Sequence, residues 1–308
     1  MSYFNLTSPI KILVFGSKGW IGSKVCKLLE EKRIEFYKSL VRADDFESVE
    51  KEIDTIGNIT HIMSFIGRTH GIYEGETIGT IDYLEKPGKL TENVCDNLFA
   101  PLSLALLSKK KGIHYTYLGT GCIFTFDSQH LDKEENGFKE ESLPNFFGSS
   151  YSIVKGFTDQ FMHLLDENVF NVRIRMPITD EVNPRNFITK ITNYKKICSV
   201  PNSMSVLNEL LPIMIDLALQ YKIGTINLTN PGLITHNEIL QMYKEIVDPS
   251  FIWENFTIEE QNIILASKRS NNYLDTSRLE NETNGSVKQI HASVREILVQ
   301  MKENIKKQ

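Results

Sequence analysis

The chain has 308 residues, 41% hydrophobic and 24% charged, with a formal net charge of −5. That length suits a large α/β domain with a smaller companion, the composition is that of a soluble globular protein, and the acid excess argues against a nucleic-acid binder. No stretch reaches the ~18 apolar residues of a membrane span, the start of the chain lacks a signal-peptide pattern, and Cys26, Cys95, Cys122 and Cys198 show no metal spacing, so a reduced, cytoplasmic, metal-free protein is expected.

The apolar run Ile10–Phe15 reads as a buried parallel strand. It leads into Gly16, Gly19 and Gly22, with Trp20 and Ile21 between the last two, and then a helical pattern over Ser23–Lys32. Strand, glycine turn and helix in that order form a dinucleotide fingerprint. The first glycine permits the tight turn, the second lets backbone approach a pyrophosphate, and the third lets helix and strand pack closely. A second strand is expected over Glu35–Leu40 and a third over Thr60–Phe65. An NAD-selective site commonly carries an acidic residue after the second strand. Here Ser39 and Arg42 stand there instead, with Asp44 and Asp45 following. Ser39 and Arg42 suit a 2′-phosphate, which favours NADPH; a solvated loop arginine, and NADH, remain the alternative. Ser64 and Gly67, after the third strand, are placed to contact the cofactor with backbone.

A helix over Leu90–Lys110 precedes a strand over His114–Leu118, which delivers Thr120 and Cys122. A helix over Tyr151–Leu165 and a strand over Val169–Arg175 follow. The alternation implies a Rossmann-type α/β fold, a doubly wound parallel sheet over residues 1–175. Residues 176–308 then form a smaller, mainly substrate-binding lobe, with a helix over Glu209–Tyr221 and a segment near 225–230 returning to the sheet.

Tyr151 and Lys155 stand at i and i+4 and so share one helix face. An ammonium there lowers the phenol's pKa and makes it a proton donor at neutral pH. The Thr120 hydroxyl adds a hydrogen bond to a substrate carbonyl. Together these groups are an apparatus for reducing a ketone with a nicotinamide cofactor. Cys122 follows Thr120 at i+2, the same face of a strand, so its thiol is expected on the ground of the Thr120 hydroxyl.

Beyond this skeleton, the runs Thr120–Phe124, Gly137–Glu141, Pro144–Phe146, Arg173–Ile178, Asn183–Lys190, Pro201–Met204, Asn230–Gly232, His236–Tyr243 and Arg269–Asn272 resemble the plant nucleotide-rhamnose synthase/epimerase-reductases. That family belongs to the extended short-chain dehydrogenase/reductases and combines a 3,5-epimerase with a 4-keto-reductase. The resemblance implies conversion of UDP-4-keto-6-deoxy-D-glucose to UDP-L-rhamnose with NADPH. It gives Cys122 and Lys190 the acid/base roles of epimerisation, with the assignment between them open. It leaves open a UDP or dTDP carrier, implies a separate upstream 4,6-dehydratase, and allows a homodimer. Arg185, Asn186, Asn202 and Arg269 are candidates for the substrate's diphosphate and base. Residues 70–81 form a longer loop than the resemblance leads one to expect. A reductase without epimerase activity, and a non-catalytic NADP-binding subunit, are the rival readings.

Overall fold

The first apolar run lies inside a six-stranded sheet. The computed structural model describes Phe4 and residues 8–307. Strand β1 (Lys11–Phe15) pairs in parallel with β2 (Glu35–Lys38) and β3 (His61–Ser64). Its Ile12–Phe15 are buried, as a strand covered on both faces requires. Helix α1 (Trp20–Glu31) buries Gly22, Val25, Cys26 and Leu29 at helical spacing. Helix α2 (Phe46–Ile56) starts at Asp45, whose carboxylate accepts from the Ser48 amide.

The loop expected over residues 70–81 is instead a hairpin, β4 (Gly71–Tyr73) and β5 (Glu76–Ile78). Its two turn residues, Glu74 and Gly75, both have positive φ, 49° and 84°, which matches the twist of a tight hairpin. The helix expected over 90–110 is interrupted: α3 (Leu90–Val94) passes through a π-helical turn (Cys95–Phe99) into α4 (Ala100–Lys111). Pro101 cannot donate to the Asn97 carbonyl four residues back. That carbonyl instead accepts from the Thr158 hydroxyl at 2.6 Å.

Strand β6 (His114–Thr120) pairs in parallel with β3 and stops at Thr120. Helix α5 (Ser150–His163) is capped by Ser149, and β7 (Val169–Ile174) follows. Then come β8 (Pro177–Ile178), α6 (Phe187–Thr192), β9 (Lys196–Ile197), β10 (Ser205–Val206) and α7 (Leu207–Leu219). Strand β11 (Gly224–Asn227) and α8 (His236–Ile246) precede β12 (Glu254–Asn255), α9 (Ile258–Ile264), α10 (Ser277–Glu282) and α11 (Ile290–Lys307). The sheet order is β11-β7-β6-β3-β1-β2. Strand β11 forms one edge of the sheet, beside β7. Among the described residues no helix is long and apolar enough to cross a membrane.

Two compact units divide the chain. The first takes the residues up to Thr120, then 149–172 and 212–226; the second takes 121–148, 173–211 and the chain from Asn227 on. The chain passes between units after Thr120, Gly148, Val172, Leu211 and Ile226. The first unit's core includes Leu13, Phe15, Ile62, Leu104, Tyr115 and Tyr117. The second has its own, including Ile178, Ile188, Met204, Ile239, Val294 and Leu298.

Candidate functional site

In the first unit the glycine loop fits a phosphate-bearing ligand. Gly16 has φ 73°, and a Cβ on Gly22 would stand 2.2 Å from the Gly16 carbonyl oxygen, so neither position accepts a side chain. Helix α1 starts at Gly19 with no side-chain cap and no acidic residue in its first turn. First-turn amides have no intrahelical partner and favour an anion. Trp20 and Ile21 open that turn.

Ser64 ends β3 and is fully buried. A Cβ on Gly67 would meet Asn97 Oδ1 at 3.2 Å, so this loop runs hard against the π-helical turn. The Arg68 amide donates to Asn97 Oδ1 at 3.0 Å, and Asn97 Nδ2 donates back to the Arg68 carbonyl at 2.9 Å. Past β2, the Ser39 hydroxyl donates to Glu52 at 2.6 Å. Arg42 remains exposed and donates through Nε and Nη2 to Asp44, both at 2.8 Å. That pairing raises the guanidinium's pKa and lowers that of the Asp44 carboxyl.

Tyr151 and Lys155 lie on α5 and are both buried, as is Thr120 at the end of β6. Lys155 Nζ donates to the Tyr117 hydroxyl and stands 4.6 Å from that ring's centroid. Burial pushes the Tyr117 phenol well above its ordinary value, so Tyr117 serves as a neutral anchor for the ammonium. The start of α5 is pinned from outside the helix: the Ser150 amide donates to Glu85 at 2.8 Å.

Cys122 departs from its expected placement. Strand β6 ends at Thr120, so Cys122 lies in a turn of the second unit and the i, i+2 strand relation does not apply. The Phe124 amide closes that turn onto the Gly121 carbonyl at 3.4 Å. The thiol forms no disulfide and is partly buried. Lys190, on α6, has its pKa lowered by burial first, then by the charges of Arg185 and Arg269, while the Cys122 charge opposes them. Burial lowers the Arg185 pKa as well. One unit thus brings together a thiol and three cationic side chains.

Two of the expected substrate contacts belong to the scaffold. Asn186 is fully buried and caps α6: Oδ1 accepts from the Ile188 and Thr179 amides, and Nδ2 donates to the Thr179 and Glu181 carbonyls. Asn202 is likewise buried, its Oδ1 accepting from Arg175 and the Asn272 amide, its Nδ2 donating to Val200 and Asn271. With both amides spent, these residues hold the loops and have no hydrogen bond left for a ligand. Arg269 donates to the carbonyl and hydroxyl of Ser267.

Sequence reasoning missed Tyr117, Asn97 and Arg175. Pro101 at i+4 from Asn97 marks the helix break, and Arg175 is a charge closing an otherwise buried strand. Either signal was available; the buried partners that give them meaning were not.

No model of a known protein family matches the chain. Its relatives are more informative. The bifunctional dTDP-4-dehydrorhamnose 3,5-epimerase/dTDP-4-dehydrorhamnose reductase of Arabidopsis thaliana is 40% identical over 277 residues, 90% of this chain and 88% of that protein. The chain belongs to the nucleotide-rhamnose epimerase-reductase family. Within it, the crystal structure of the UDP-rhamnose synthase from Acanthamoeba polyphaga mimivirus is 52% identical, with a TM-score of 0.90, covering 95% of this chain and 100% of that one. A trifunctional UDP-glucose 4,6-dehydratase/UDP-4-keto-6-deoxy-D-glucose 3,5-epimerase/UDP-4-keto-L-rhamnose-reductase of Arabidopsis thaliana is 40% identical over 274 residues. This epimerase-reductase spans only 39% of that longer relative.

Proposed function

We propose that the chain converts UDP-4-keto-6-deoxy-D-glucose to UDP-L-rhamnose, inverting C3 and C5 and reducing the C4 ketone. The observation that carries this reading is the pairing of two acid/base sets: Tyr151 with Lys155 on α5 for reduction, and Cys122 with Lys190 for epimerisation. A plain reductase needs only the first. UDP is the carrier named for the relative at 52% identity, and we adopt it here.

NADPH, when bound, supplies the hydride to C4. The glycine loop and the amino terminus of α1 would hold its pyrophosphate, Arg42 would pair with the 2′-phosphate, and the Ser64–Gly67 backbone would lie alongside. The C4 ketone acidifies the hydrogens on C3 and C5, because either carbanion delocalises into the carbonyl. Cys122 and Lys190 act on opposite faces of the sugar, one removing a proton and the other returning one. Thr120 and Tyr151 donate to the enolate oxygen where charge develops. During reduction Tyr151 gives its proton to the C4 oxygen, and Lys155 favours the phenolate that results. Arg185 and Arg269 pair with the substrate diphosphate.

The 4-keto-6-deoxy substrate comes from a separate 4,6-dehydratase. Four cysteines outside any disulfide support a cytoplasmic setting. A homodimer is supported by α5, which exposes Ile153, Phe157 and Phe161 on one stripe.

The test is incubation with the 4-keto sugar in deuterium oxide. Deuterium at C3 and C5 without NADPH, and UDP-L-rhamnose with it, is the expected result. Reduction to a D-series 6-deoxy sugar without deuterium uptake would leave a reductase alone. Cofactor binding with neither reaction would leave a binding subunit.

A further inference from the structure

Lys155 has a buried neighbour outside the reductive pair. Its Nζ donates to the Tyr117 hydroxyl and stands 4.6 Å from the centroid of that ring. Tyr117 lies in β6, on the strand that ends at Thr120, and both it and Lys155 are buried. An ammonium has only protons to offer, so the phenol oxygen accepts and its own proton must point elsewhere.

The group that receives it is Thr158, on α5 with Lys155 and within hydrogen-bond reach of the Tyr117 phenol. Thr158 is fully buried; its hydroxyl donates to the Asn97 carbonyl at 2.6 Å and shares that proton with the Val154 carbonyl at 2.9 Å. Carbonyls only accept, so the Thr158 proton is taken and its oxygen is left to accept from Tyr117. The Asn97 carbonyl is open to Thr158 because Pro101 has no amide proton. One donor chain therefore runs from Lys155 through Tyr117 and Thr158 to Asn97, its direction set by the carbonyl at its end. Every member belongs to the first unit.

Each hydroxyl in this chain turns its oxygen towards Lys155, and a buried, low-dielectric setting strengthens that alignment. Tyr117 does not compete with Tyr151 as an acid. Burial, then the charges of Tyr115 and Tyr151, hold its phenol well above the ordinary value.

We propose that Tyr117, oriented by Thr158, is a positioning residue for Lys155 that acts on the reductive step and not on epimerisation. The proposal rests on the reading above in which Tyr151 and Lys155 form the reductive pair. As hydride reaches C4, Tyr151 releases its proton to the C4 oxygen and keeps the O–H electron pair as a phenolate. Solvent returns a proton to it before the next turnover. That phenolate needs the ammonium held close. During exchange of the C3 and C5 hydrogens Tyr151 keeps its proton and only donates a hydrogen bond. No phenolate forms there, so the placement of the ammonium matters little.

The test is Tyr117→Phe in the full chain, with two readouts on one preparation. These are single-turnover oxidation of NADPH by the 4-keto sugar, and deuterium uptake at C3 and C5 without NADPH. Phenylalanine keeps a ring beside the ammonium and leaves the Thr158–Asn97 bond in place. Reduction at saturating NADPH should slow by ~10–100-fold, the range for one lost hydrogen bond to a charged group. The KM for NADPH and the rate of deuterium uptake should stay near their native values. The steady-state isotope effect from NADPH deuterated at the transferred position should grow, because hydride transfer then limits turnover; a merely structural loss would not move it. Thr158→Val, which removes the acceptor, should also slow reduction, and Thr158→Ser should return most of the rate. That pair decides the matter if Tyr117→Phe does not fold. Native-rate reduction in folded Tyr117→Phe overturns the proposal, as does an equal loss of reduction and exchange, or equal rates in the valine and serine variants. Lys155→Met separates the two ideas. Native-rate reduction in that variant sinks the reductive pair itself, whereas an inactive Lys155→Met beside a fully active Tyr117→Phe leaves the pair and removes Tyr117.

Discussion

In the proposed mechanism Cys122, Tyr151 and Arg42 carry separable parts of the chemistry, and single substitutions should separate them. Cys122→Ala removes the thiol from a turn held by backbone contacts to Arg175 and Asn272. Thermal unfolding and NADPH binding should be unchanged, while deuterium uptake at C3 and C5 falls to background. Tyr151→Phe keeps the ring packed on α5 and should allow exchange while reducing the rate of reduction by about 10²–10⁴-fold, the usual contribution of a placed general acid. Arg42→Ala should raise the KM for NADPH about tenfold and leave that for NADH nearly unaltered, because one exposed charge-assisted contact is lost. Equal losses with both cofactors would remove Arg42 from the 2′-phosphate. The Tyr151–Lys155 pair was legible in the sequence because helix periodicity fixes its spacing; the placement of Cys122 was not, because β6 ends before it. Asn186 and Asn202 show where that stops: a polar residue in a recognisable motif reads the same whether it faces a ligand or caps a helix, and only its buried partners decide.

At the scale of elements, the sequence showed strands and helices more clearly than their interruptions. β1, β6 and α5 follow from apolar period and length. The π-helical turn does not, because it depends on Thr158 supplying the hydrogen bond that Pro101 cannot. That turn links the Gly67–Arg68 loop to α5 through the one residue Asn97. Asn97→Ala removes the carboxamide pair with Arg68 but keeps the carbonyl that accepts from Thr158. It should therefore weaken NADPH binding while leaving the reduction rate at saturating cofactor nearly unchanged, with stability lowered by about 1–3 kcal/mol from the unpaired buried groups; a calorimetric titration beside a melting curve reads both. On the outer side of the same helix, Phe157 is 58% exposed between Ile153 and Phe161. Phe157→Glu should convert a dimer to a monomer in sedimentation experiments, and an unchanged mass would take α5 out of the interface.

For the whole molecule, acid should be the first stress to show. His61 and His114 are fully buried, their rings 5.0 Å apart. Burial lowers their pKa values to about 3 and about 4, with the His114 charge also acting on His61. Both folded values lie below the unfolded one, so the unfolded chain takes up protons that the folded chain refuses. Stability is full above pH ~6.5 and falls as pH drops towards 4, by about 3 kcal/mol per pH unit for the pair at the steepest. Melting curves between pH 7.5 and 5 check the slope, and a flat profile would contradict the neutral burial of these rings.

The repeated passage of the chain between its two units also bears on how the protein is made. The first unit's sheet lacks its edge strand until β11 has been synthesised, although its other strands are complete by Ile174. The second unit begins at Gly121 but keeps Ile290, Val294, Leu298 and Met301 of α11 in its core. A nascent chain on the ribosome therefore carries two unfinished hydrophobic surfaces through most of its translation. No single cut yields two self-sufficient halves, and a stop codon ahead of α11 should send the product to proteolysis instead of leaving a smaller working reductase.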